Sequence, residues 1–237
     1  YEAGQNSQGS WAVAIGDQAG KRNQGSSAVA VGHFAGNSGQ EDYSVALGYS
    51  AGISGQKAYS VATGFFAGHI SQGSSAVAIG DNAGREQQRE NSVAIGYSAG
   101  EKRQYENSVA VGNEAGQISQ GSSAVAIGDQ AGKGGDNPGD YSKRQNSKAV
   151  AIGYRAGYES QGISAIAIGD AAGLSGQKTK SVAIGPYAGN GVQDQQSVAV
   201  GNEAGQIFQQ NNATAIGNQS GQISQGSSAV AIGDQAG

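Results

Sequence analysis

Apolar positions recur along this chain as a fixed triplet, Val-Ala-Ile or a close variant, as at Val93-Ala94-Ile95 and Val125-Ala126-Ile127, and each triplet closes on a glycine. Large and small side chains alternate inside the triplet with period two, which belongs to a strand and not to a helix. Between triplets the chain is polar and small, and its glycine content argues against helix as well. Each unit therefore predicts a short strand, a glycine turn, a second short strand near a glutamine, and a polar return.

The periodicity runs from end to end. The closing glycines are Gly16, Gly32, Gly48, Gly64, Gly80, Gly96, Gly112 and Gly128, then Gly153, Gly169, Gly185, Gly201, Gly217 and Gly233, at steps of 16 with a single step of 25. A second glycine follows four residues after each, preceded by alanine except at Ser220. A glutamine column keeps the same phase: Gln24, Gln40, Gln56, Gln72, Gln88, Gln104, Gln120, Gln145, Gln161, Gln177, Gln193, Gln209 and Gln225. The unit reads [S/A]-V-A-I-G-x-x-A-G-x-x-x-Q-x-x-x. The expectation is a single repeat array over residues 1–237, with coils 5–132 and 146–237 in register around an inserted loop at about 133–144, and with the array continuing beyond this stretch. The identical segments 117–132 and 222–237 point to growth by duplication.

One coil cannot hold itself together. Burying a Val and an Ile yields roughly 3 to 6 kcal/mol, whereas ordering the backbone costs about 1 to 2 kcal/mol per residue. Stacked coils share ladder hydrogen bonds at about 4.8 Å spacing, so the predicted fold is all-β, a β-solenoid or parallel β-roll of fourteen 16-residue coils, roughly 65 to 70 Å long, thin and straight.

Columns held constant within the chain report what every coil must satisfy. The glycines read as turns with positive φ or as places where neighbouring backbone leaves no room for a Cβ. The glutamines read as an amide ladder at a coil corner, each carbonyl accepting from the NH₂ of the next coil. The strand centre is alanine in every coil: Ala14, Ala30, Ala46, Ala62, Ala78, Ala94, Ala110, Ala126, Ala151, Ala167, Ala183, Ala199, Ala215 and Ala231. If Val and Ile fill the coil, these alanines face outward against a closely packed surface and are interface residues. If the alanines point inward, the exposed Val and Ile need a partner even more. Both assignments lead to a homo-oligomer or a laterally packed bundle.

Other columns carry the candidate chemistry. Tyr1, Phe34, Tyr49, Phe65, Phe66, Tyr97, Tyr154 and Tyr187 fall in the two positions that follow a closing glycine, a patchy aromatic edge suited to lateral packing or to stacking on glycan. Gly48-Tyr49-Ser50-Ala51-Gly52, repeated around Ser98, matches the G-x-S-x-G elbow of a nucleophilic serine. The same position holds Gln18, Phe34, Glu114 or Arg155 in other coils, and His33 and His69 are the chain's two histidines, so the match reads as a coincidence of the turn. Asp17, Asp81, Asp129, Asp170 and Asp234 follow closing glycines without the calcium β-roll pattern and read as exposed turn residues. Thr63, Thr179 and Thr214 are too few for an ice-binding array, and Asn212-Ala213-Thr214 is a lone glycosylation sequon. The 133–144 loop, rich in turn residues and mixed charge, is expected to protrude.

Composition narrows the function classes. Forty-two glycines against two prolines, without G-X-Y spacing, exclude both collagen and an ordinary globular enzyme. A net charge of -4 offers no basic stripe for nucleic acid, and no apolar run approaches the roughly 20 residues of a membrane span. Zero cysteines remove disulfides and thiolate metal sites.

At 91–96, "NSVAIG", and 107–112, "NSVAVG", the chain resembles the head repeats of trimeric autotransporter adhesins of the YadA type and related viral tail-fibre-like repeats. The likeness covers the strand and its glycine in every coil, for example Ser92, Val93, Ala94, Ile95 and Gly96. The 16-residue period and the Ala-Gly and Gln columns depart from that family. The resemblance implies a left-handed parallel β-roll, three chains about an axis, and an adhesin on a cell surface. The resulting expectation is a non-enzymatic, cofactor-free structural fibre or adhesin, extracellular on a cell or virion surface, built by homo-oligomerisation as a trimer or filament. The alternative is a glycan- or receptor-binding module using the aromatic edge or the 133–144 loop.

Overall fold

The computed structural model describes residues 2–137 and 140–237; Tyr1 of the expected aromatic edge and Pro138-Gly139 of the inserted loop lie outside them. The chain is an all-β solenoid of parallel strands about sixteen residues apart, with one 3-10 turn at Tyr141–Lys143 among the described residues. Two compact units, Tyr1–Glu114 and Ala115–Gly237, are each built from seven coils. In the first unit the triplet strands run from Val13–Ile15 to Val109–Val111, and in the second from Val125–Ile127 to Val230–Ile232. Stacking is residue on residue: Val45, Ala46 and Leu47 lie on Val61, Ala62 and Thr63. The expected second strand exists in fragments, as Asn6–Gln8, Arg22–Gln24 and Ser38–Gln40 in the first unit and Val192–Gln193, Phe208–Gln209 and Ser224–Gln225 in the second. Elsewhere it shrinks to single bridges such as Ser54 to Ile70.

The 25-residue step leaves this register untouched, since Val125, Ala126 and Ile127 pair with Val150, Ala151 and Ile152. The insertion leaves the stack after Gly134 and Gly135, whose N–H groups both donate to Tyr158 O at 2.9 and 3.1 Å, and it returns at Lys143, whose carbonyl accepts from Ser160 N at 3.1 Å.

Two glycine columns perform different tasks. Gly169 has φ 132°, and a Cβ there would come within 2.7 Å of the Gly185 backbone, so the closing glycine sets how tightly coils approach. Gly36 has φ 53°, and its absent Cβ is the space occupied by Gln40 Oε1, only 2.6 Å from where that atom would stand. Glycine is not the only left-handed residue. Ser50, Tyr43 and Tyr59 have φ of 53°, 59° and 61°, and the same two turn positions are left-handed in coil after coil. The cost of that conformation for an L-residue, about 1–2 kcal/mol, is offset by the stack: each of these N–H groups donates to a carbonyl of the preceding coil, Ser50 to His33 O at 2.9 Å and Tyr43 to Ser26 O at 3.0 Å.

The interior decides between the two orientations of the triplet and corrects the interface role expected of the alanines. The strand-centre alanines point into the coil and are fully buried within the single chain, apart from Ala14 and Ala231 in the outermost described coils. They are core residues of their own coil and not the surface of an interface. Val and Ile face out, the second of the two orientations that the sequence allowed. The physical reason is the width of the coil. Opposite each of these alanines except Ala231 stands a buried glutamine, and the space left over accommodates a methyl group and nothing larger: Ala30 Cβ lies 3.2 Å from where a Gly36 Cβ would be.

Candidate interaction face

Inside the coil the glutamine amides find their partners in the chain itself, except that the Oε1 atoms of Gln24, Gln56, Gln72 and Gln145 accept no hydrogen bond. Each glutamine reaches across its coil, and its Nε2 donates to the carbonyl that opens the triplet strand, as from Gln88 to Val77 O at 2.8 Å and from Gln161 to Val150 O at 2.6 Å. It also donates to the carbonyl four residues on, as from Gln161 to Ala165 O at 3.3 Å. The expected amide ladder exists inside the coil instead of at a corner. It runs unbroken from Gln145 through Gln161, Gln177, Gln193 and Gln209 to Gln225, with donor to acceptor distances of 3.0–3.3 Å. In the first unit it joins Gln24 to Gln40 and Gln72 through Gln88 to Gln104. It is interrupted around Gln56, whose Oε1 accepts no hydrogen bond. The serines ahead of the strands close the preceding turn, Ser92 Oγ donating to Arg89 O at 2.6 Å. Ser220, the exception in the Ala-Gly column, donates to Ala231 O at 2.7 Å.

The outer side of the same strands is unsatisfied. In each coil the first and third triplet residues project outward, and no charged residue occupies any of these positions. Leu47, Ile79, Ile95, Ile127, Ile184 and Ile216 retain 36–39% of their surface. Within one unit seven strands at about 4.8 Å spacing carry two aliphatic columns roughly 30 Å long, on the order of 300 Å² before their borders are counted.

The borders are where coils differ. His33, Tyr49 and Phe65 stack along the column that follows the closing glycine, with centroid separations of 5.1 and 5.3 Å. Phe34 packs edge-on to His33, and Phe66 bridges Phe65, Tyr49 and His69 with edge-on contacts. Burial and the neighbouring Arg85 lower the His69 pKa below its ordinary value. The aromatic edge is thus one cluster in three successive coils, while Tyr97, Tyr154 and Tyr187 are exposed and share no stacking with it. A second aromatic column escaped the sequence reading. Tyr43 and Tyr59, two residues ahead of their strands, stack at 5.2 Å with a 6° interplanar angle. Their 16-residue separation, shared with Trp11 two coil steps earlier, was the available signal.

Ser50 and Ser98 are buried in their turns, and the segment after each is the next polar return and not a helix. The base of the inserted loop is well anchored. Tyr158 donates its hydroxyl to Asp136 Oδ1, and its ring lies 4.3 Å from the Arg155 guanidinium. Lys133 Nζ sits 3.3 Å from Asp136, and Lys143 pairs with Glu159 at 3.1 Å. The Tyr158 hydroxyl, and after it Lys133, hold the Asp136 carboxyl below the usual carboxylate range, while burial, reinforced by Asp136, raises the Tyr158 phenol. Among the described residues no cluster of three or more His, Cys, Asp or Glu is placed to hold a metal ion.

Comparison with protein-family models, with curated proteins and with solved structures finds no match to this chain.

Proposed function

We propose that this chain is a structural fibre or adhesin subunit, non-enzymatic and displayed on a cell or virion surface, which assembles laterally with copies of itself through its outward Val/Ile columns. The observation that carries this reading is the uncharged aliphatic face repeated on every coil. A face of that order is the size of the largest apolar patch on an ordinary monomer, and such patches often mark contact surfaces. A partner must also match its pitch. Side chains that recur with every coil, about 4.8 Å apart, stay in phase over seven strands only with another stack of the same spacing, and a second copy of this chain supplies one.

The measurement that tests this is the mass of the purified, undenatured protein by light scattering, together with negative-stain imaging. A discrete oligomer or a filament is expected; a clean monomer at all concentrations would end the proposal.

A second reading, a glycan- or receptor-binding module, draws on the exposed rings at Tyr49 and Phe65 and on the anchored loop. Deleting the excursion between Gly135 and Lys143 separates the two. A shaft assembles unchanged, whereas a loop-based binder loses its ligand.

A further inference from the structure

Self-association through two uniform columns has a defect: every coil offers nearly the same surface, so two copies can pair in many registers one coil apart. The stagger determines the outcome. Closed rotational symmetry about an axis parallel to the stack requires zero stagger, while a one-coil offset propagates into an open-ended array. Only features that differ between coils, and that border the apolar columns, can choose.

The strands Val45–Leu47 and Val61–Thr63 stand out on this criterion. They alone have an aromatic residue both two positions before and two positions after the strand, Tyr43 with Tyr49 and Tyr59 with Phe65. The four rings form two stacked pairs, at 5.2 and 5.3 Å, on either side of four outward aliphatic or threonine side chains. Tyr43, Tyr49, Tyr59 and Phe65 remain 45–62% exposed. Tyr43 and Tyr59 are also fixed from the backbone, in left-handed turns whose N–H groups donate to Ser26 O and Asp42 O at 3.0 and 3.1 Å. Rigid, half-exposed rings around an apolar centre lose little freedom when covered. One coil away in either direction the same positions hold Ser27 and His33, or Ser75 and Asp81.

We infer that this two-coil aromatic platform is the register lock of the assembly: it docks on the same platform of a second copy and selects parallel, unstaggered pairing. The inference rests on the lateral self-association proposed above. A shift by one coil would take one coil of each platform out of contact with the other, setting one coil's rings against the Ser27 and His33 coil or the Ser75 and Asp81 coil. Among parallel registers, zero stagger is the one in which both ring pairs of one copy meet both of the other.

The test uses the full chain with a contact photo-crosslinker, p-benzoylphenylalanine, in place of Val93, two strands beyond Val61–Thr63, and identifies the captured residues of the partner copy by mass spectrometry. The comparison is with the same chain carrying Tyr43→Ser, Tyr59→Ser, Tyr49→Asp and Phe65→Asp, each a residue that the array itself bears in the same column. The parent is expected to capture its partner chiefly within residues 91–97 and to give one mass by light scattering. In the variant the captured residues should spread over several coils, with the share in 91–97 falling at least about threefold, and the mass should rise with concentration. A control with Tyr43→Phe and Tyr59→Phe should keep the parent pattern. An assembled variant that retains one register overturns the lock while leaving self-association standing. A variant that becomes monomeric overturns it too, because the rings would then supply affinity and not register. A monomeric parent without crosslinks overturns both, leaving the platform to some other occupant such as a sugar or a foreign protein.

Discussion

Within Val93-Ala94-Ile95 the middle side chain is alanine in every coil and its two neighbours are aliphatic in nearly every one, yet they stand in opposite situations. Ala94 is fully buried in a space that the chain fills alone, with Gln104 reaching across to Val93 O at 2.7 Å. Ile95 keeps 37% of its surface open on the other side of the same backbone. One side is closed by the coil itself; the other is closed only by something outside it. Repetition within a chain therefore records two kinds of constraint, and burial tells them apart.

Substitutions on the inner side should break the fold, and the largest effect is expected at the closing glycines. Gly169→Val places atoms within 2.7 Å of where Gly185 backbone already lies and demands φ 132° of a β-branched residue. A loss above about 4 kcal/mol is expected, visible as a collapse of the thermal transition followed by circular dichroism. If the variant melts close to the parent, the close approach of coils is not what fixes that column. Gln161→Leu comes next: it strips the donor from Val150 O and Ala165 O and the acceptor from Gln145, for an expected cost of about 2–3 kcal/mol in chemical denaturation. A loss below about 0.5 kcal/mol would mean that those carbonyls find other donors.

On the outer side the expected outcome reverses. Ile95→Lys with Ile79→Lys should move the stability of the isolated chain by no more than about 0.5 kcal/mol per site, while light scattering registers a loss of assembly. An unchanged mass would place any contact elsewhere. The smallest effect sharpens the comparison at the insertion, which is held by side chains and not by the coil interior. Asp136 has a depressed pKa, so its contribution is present above the ordinary carboxylate value near 3.8 and is lost as pH falls through the lower folded value. Tyr158→Phe removes the largest cause of that depression. The Asp136 carboxyl, followed by NMR titration, should move up toward 3.8, and an unmoved titration would assign the shift to Lys133.

The period, the parallel stack, the turn glycines and the amide ladder were legible because each shows itself as a column. The orientation of the triplet was not. Alternation with period two states that Val93 and Ile95 share a face and that Ala94 has the other, but it is silent on which face is interior. The deciding signal lay outside the strand, in the pairing of a glycine column with a glutamine column that together leave no room for Val or Ile. The left-handed non-glycine turns were hidden because residues as different as Tyr43, Ser75 and Lys148 occupy one of these positions, held there by hydrogen bonds to the coil before and not by propensity. Tyr158 escaped because its partners Asp136 and Lys133 belong to the insertion, whose path no periodicity describes.

An interior of alanine methyls and glutamine amides has a calorimetric consequence. Apolar exposure raises the heat capacity on unfolding and polar exposure lowers it, and globular domains average about 12–15 cal/mol/K per residue. This chain encloses small apolar groups beside an amide in each coil and already exposes much of its Val and Ile. Its increment as an isolated chain should fall below that range, giving a flat dependence of stability on temperature. Covering the aliphatic columns would restore the missing curvature.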